Sequence, residues 1–97
     1  MTWKINGSGS PIVEVWEDFQ GNLWFVAERL VDTDFDKENE LCYGFARLRH
    51  MPECAEWGTF GLKEIREAQR APTMLWPVTK GNWGNINSYE DGLFVKV

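Results

Sequence analysis

The stretch that decides the fold is Ile12-Val-Glu-Val-Trp-Glu-Asp-Phe-Gln-Gly-Asn-Leu-Trp-Phe-Val-Ala-Glu-Arg29. Its first part alternates, setting Ile12, Glu14 and Trp16 on one side of an extended chain and Val13, Val15 and Glu17 on the other. Asp18-Phe-Gln-Gly-Asn22 then supplies the Gly and Asn that accept the positive φ of a tight turn. Leu23 to Arg29 is rich in aromatic and branched residues, as strands are. The two segments predict an antiparallel hairpin.

Beyond the hairpin, Leu41 to Arg49 resumes a period of two. Leu41, Tyr43, Phe45, Arg47 and Arg49 share one face, and Cys42, Gly44, Ala46 and Leu48 share the other. Gly44 inside a strand implies a close backbone approach or a bulge. His50 to Trp57, with Pro52, Glu53 and Glu56, reads as a loop. From Leu62 to Gln69 the period changes, placing Leu62, Ile65 and Ala68 opposite Lys63, Glu64, Arg66 and Glu67, which predicts a short amphipathic helix. Gly61 or Thr59 would cap its start, and Pro72 forbids much continuation. Met74 to Thr79 reads as a Pro-interrupted edge strand, Lys80 to Ser88 as a Gly/Asn-rich loop and Leu93 to Val97 as a last strand. Residues 1–11, with the Gly/Ser-rich run Asn6 to Pro11, read as a flexible lead-in to a single domain over residues 12–97. The expected architecture is α+β, a small, mainly antiparallel sheet of about five strands with one short amphipathic helix packed on it.

With 97 residues the chain has one domain's worth of length; a chain this short buries only about two-thirds of its unfolded surface. Its six Trp residues supply apolar area that the length does not. No run approaches the roughly 18 apolar residues of a membrane span, and no apolar signal core follows Met1. The expected setting is cytoplasmic, without a membrane partner. Cys42 and Cys54 fit that compartment as free thiols.

Charge is unevenly placed. The chain carries −5 overall, yet residues 14–40 hold nine carboxylates against Arg29 and Lys37 alone. Asp32, Asp34, Asp36, Glu38 and Glu40 fall at every second position. Asp32-Thr-Asp34-Phe-Asp36 opens like a calcium-binding EF-hand loop, but Lys37 stands where that loop needs Gly and Tyr43 where it needs a bidentate Glu. In an extended chain the five carboxylates would line one side about 6.6 to 7 Å apart. That spacing is close to the separation of phosphates along an extended nucleic-acid strand, so it suggests a DNA-mimic surface. The plainer alternative is a solvated connection whose charges deter edge-to-edge association.

Other constellations are incomplete. Cys42, His50 and Cys54 leave a tetrahedral zinc site one ligand short. His50 is the single histidine, and no motif orients it toward a nucleophile. No catalytic, metal or cofactor site is therefore expected, and no cofactor. Trp83, set between Gly and Asn residues, reads either as an exposed interface anchor or as a ring folded back into the core of a small domain. Arg47, Arg49, Arg66 and Arg70 beside Tyr43 and Phe45 could form a small basic aromatic face for single-stranded nucleic acid, which the net negative charge opposes.

Trp24-Phe-Val-Ala-Glu28, Tyr43-Gly-Phe45, Trp57-Gly-Thr-Phe60 leading into Leu62-Lys-Glu-Ile65, and Leu75-Trp-Pro-Val78 before Trp83 together resemble an uncharacterised family of small proteins. That family is carried by bacterial plasmids, conjugative elements and phages. The resemblance covers roughly residues 12–83 and implies a short sheet packed with one helix, no established activity and a mobile-element setting. The chain departs from the family pattern at Gly61, where a hydroxyl residue is usual, in its shorter segment before the first strand, and in its tail from Gly84.

The function expected from the sequence is that of a non-enzymatic acidic binding protein, an anti-CRISPR-like inhibitor or other DNA mimic. Its partner would be a protein with a basic surface, such as a host nucleic-acid-handling complex, and not nucleic acid directly. Asp32, Asp34, Asp36, Glu38, Glu40 and Trp83 would make the contact. The alternative is a protein-interaction module anchored by exposed aromatics, with the acidic stretch a solvated loop.

Overall fold

Asp18 makes the first hairpin tight. Its buried carboxylate accepts hydrogen bonds from the backbone N–H groups of Gln20 and Asn22 and from the Asn22 side chain, each at 3.0 Å. Gly21 takes the positive φ of 83° between them. The computed structural model describes residues 2–89 and 92–97. In chain order the elements are β1 (Trp3–Ile5), β2 (Glu14–Asp18), β3 (Leu23–Arg29), α1 (Asp34–Glu38), β4 (Leu41–Leu48), β5 (Met51–Gly61), α2 (Leu62–Glu67), β6 (Leu75–Pro77), α3 (Trp83–Tyr89) and β7 (Phe94–Lys96).

Five strands form one antiparallel sheet in the order β5-β4-β3-β2-β6. β2 to β5 run as a meander; the chain then returns through α2 to add β6 outside β2. That return requires α2 to cross the sheet, and Leu62 is the residue it buries. The α+β architecture and the amphipathic helix match the sequence expectation. The other elements that cover the sheet do not.

Phe25 and Val26 are consecutive on β3 and therefore point to opposite faces. On one face Val15, Leu23, Phe25 and Phe45 pack with Ile5, Ile12, Trp83, Ile86 and Phe94. On the other, Val26 and Cys42 meet Leu62, with Trp16 and Phe60 alongside. Gly44 lies where the expected close approach occurs: a Cβ there would overlap the Phe25 carbonyl oxygen. The β3 register shifts nearby, between Val26 and Glu28.

Several segments differ from the sequence reading. The lead-in is not a free arm. β1 pairs with β7, Ile12 N–H donates to the Trp3 carbonyl at 2.8 Å, and the Trp3 ring stacks on Phe94 at 4.9 Å. The Gly/Ser run only loops between β1 and Ile12, while Met1 lies outside the described residues. Regular pairing in β2 begins only at Glu14, and Ile12 joins Val15 in the core rather than siding with Glu14 and Trp16.

β5 replaces the expected loop from His50 to Trp57. It is an edge strand, where a proline's missing N–H costs no ladder bond. Pro52 also falls in an irregular stretch, residues 52–55, opposite Arg47 alone. Finally, the Gly/Asn-rich segment forms a short 3₁₀ turn, Lys80–Asn82, leading into α3. No helix among the described residues is long and apolar enough to cross a membrane.

Candidate functional site

The acidic stretch is helical rather than extended. Thr33 caps α1: its Oγ1 accepts from the Asp36 N–H at 3.1 Å, and the Asp36 carboxylate accepts from the Thr33 N–H at 3.3 Å. This reciprocal pair satisfies two helix-end donors at once. Asn39 closes the other end, its side chain donating to the Phe35 carbonyl at 2.9 Å. Successive helical residues are rotated by about 100°, so alternate positions fall on nearly opposite sides. The expected row of Asp32, Asp34, Asp36, Glu38 and Glu40 therefore does not exist.

The five acids divide by environment. Asp36 is committed to the cap. Glu40 adopts a φ of 50°, an uncommon conformation for a residue with a side chain. Its carboxylate turns back onto the sheet, 2.7 Å from Arg66 and 3.8 Å from Arg29. Arg29 in turn grips Glu14 through two contacts of 2.7 Å. The Trp16 indole donates to Glu14 at 3.1 Å, and Arg66 lies over the Trp16 ring, 5.7 Å from its centroid.

This alternating chain of two carboxylates and two guanidiniums fastens the end of the α1 loop to β2, β3 and α2. The Arg29 hydrogen bonds hold Glu14 below the usual carboxylate range, and Arg66 does the same for Glu40. Both guanidiniums are held more firmly protonated in return. Burial pushes the adjacent Cys42 thiol up to about 11, which leaves it protonated and unreactive.

Asp32, Asp34 and Glu38 remain exposed, and no ion pair joins them to a cation among the described residues. Beside them Phe35 stands 65% exposed and Val31 56% exposed. α1 buries no residue at all. Its sequence is thus not explained by packing, whereas its cap and its tether to the sheet hold it in place.

Trp83 is 2% exposed and belongs to the core, so it is not a surface anchor. It meets Trp3 edge-on and Phe94 obliquely, and its indole donates to the Val78 carbonyl at 3.0 Å. Arg66 does not join the rings of the expected basic aromatic face. Tyr43, Phe45 and Trp57 form a ring ladder on one side of the sheet, while Arg66 lies on the other with Trp16. Cys42 and Cys54 are free, the first buried and the second exposed. Among the described residues no three His, Cys, Asp or Glu side chains are placed to hold a metal ion.

Sequence reasoning missed Phe35 and Val31 as surface residues, and it missed the anchoring role of Glu40. The signal for the cap was present as Thr33-x-x-Asp36, a helix-start pattern hidden inside the regular spacing of acids. No family model, curated protein or solved structure matches the chain.

Proposed function

We propose that this is a non-enzymatic binding protein whose contact surface is α1 with its approach, residues 31–38. The observation that carries this reading is a capped helix that buries nothing, yet presents Phe35 among three carboxylates with no ion-pair partner among the described residues. An apolar centre with a charged rim is the usual anatomy of a protein contact. A large rigid ring at such a centre supplies most of the binding energy, and the rim charges set encounter and choice of partner. The complementary partner is a protein with a basic surface around an apolar slot.

We place that partner among basic host proteins that handle nucleic acid, in the cytoplasm. The support is the acidic balance of residues 14–40 and the resemblance to mobile-element proteins. Phosphate mimicry by an extended row forms no part of this reading, because the helix removes the two-residue period.

The test is capture of proteins from a bacterial lysate on the immobilised chain, followed by titration of the identified partner at several salt concentrations. Replacing Asp32 and Asp34 by Asn and Glu38 by Gln should weaken binding and flatten its salt dependence. Asp36 and Glu40 are left intact because they hold the helix. A partner whose affinity and salt slope survive those three changes would sink the proposal.

A further inference from the structure

At the end of the sheet opposite α1, a cleft of about 440 Å³ opens between the edge strand β6 and α3. That volume lies within the usual range of small-ligand sites. Leu23 and Ile86 supply apolar lining, and Trp76 and Glu17 stand side by side as cross-strand partners. Trp76 is 36% exposed. Asn82 and Asn85 line the same cleft from the α3 side.

The polar groups there are rich in unused acceptors. The Asn82 amide nitrogen donates to Thr79 Oγ1 at 3.0 Å, which leaves its carbonyl oxygen available. The Glu17 and Asn85 side chains have no hydrogen-bond or ion-pair partner among the described residues. Lys80, which follows the cleft residue Thr79 in the chain, is directed over the Trp83 ring instead, 5.6 Å from its centroid.

We infer that this cleft binds a guanidinium group, stacked on Trp76 and paired with the Glu17 carboxylate, with the Asn82 and Asn85 carbonyl oxygens accepting further N–H bonds. A guanidinium is planar, carries five donors and has no acceptor. It therefore satisfies a site with one negative charge and an excess of acceptors, and its flat face suits an indole. A neutral sugar or amide brings acceptors of its own and leaves Glu17 without a counter-charge. The site lies apart from residues 31–38 and stands whether or not that surface binds a protein.

The experiment titrates the full chain, labelled with ¹⁵N, with N-acetyl-argininamide, free arginine, N-acetyl-lysinamide and the neutral N-acetyl-citrullinamide. The Trp76 indole N–H resonance is the readout. Saturable shifts are expected with both arginine compounds and not with the citrulline one. Tighter binding of free arginine identifies a metabolite site, and equal or tighter binding of the capped form identifies a site for an arginine side chain. Glu17→Gln should weaken binding by about tenfold, or about 1.4 kcal/mol, with the spectrum otherwise unchanged. Three results would overturn the inference: equal binding of the citrulline or lysine compound, no saturation by either arginine compound, or undiminished binding to Glu17→Gln.

Discussion

A side chain at position 44 would meet the backbone of β3 head-on, since its Cβ would overlap the Phe25 carbonyl oxygen. The strands approach there only because Gly44 has none. Gly44→Ala is expected to destabilise the protein by about 3 kcal/mol through overpacking and displaced backbone. For a domain of this size that lowers Tm by roughly 12 to 24 °C, measurable by circular dichroism. A Tm within about 2 °C of the parent would show that β3 and β4 have room to part. Gly44 was legible from its place in an alternating strand. Trp83 was not, because its neighbours Trp3 and Phe94 come from the two ends of the chain, and no local pattern joins them.

Elements were legible where their own period decided them. β3 and the start of α2 follow from local spacing, and the hairpin between β2 and β3 follows from Gly21 and Asn22. β5 was hidden by Pro52, whose cost vanishes at a sheet edge. α1 was hidden by its own acids, since the capping box and the regular run of carboxylates occupy the same residues. The ion-pair chain that tethers α1 gives a pH prediction. Glu14 and Glu40 are held low by Arg29 and Arg66. Their stabilisation is complete above the ordinary Glu value of about 4.3 and is lost as pH falls through their own lowered values. The Tm gap between the parent and a Glu14→Gln, Glu40→Gln double variant should be widest at pH 7 and close towards pH 3. A gap that does not change with pH would mean the pairs act through packing alone.

The molecule as a whole is closed by its ends. β1 and β7 pair with each other over one face of the main sheet, where Ile5, Trp3 and Phe94 complete the core that Phe25 begins. Removing residues 1–11 should therefore expose Phe94 and Trp83 and abolish cooperative melting. A truncated chain that melts as sharply as the parent would show that the terminal sheet is dispensable. With the core accounted for in this way, Phe35, 65% exposed on a helix that buries nothing, is a feature that folding leaves over. The most direct test of the central claim is the calorimetric affinity of Phe35→Ala for the captured partner, measured beside its Tm. The account predicts binding at least about tenfold weaker, a loss of about 1.4 kcal/mol or more, at a Tm unchanged from the parent. Affinity equal to that of the parent would contradict it.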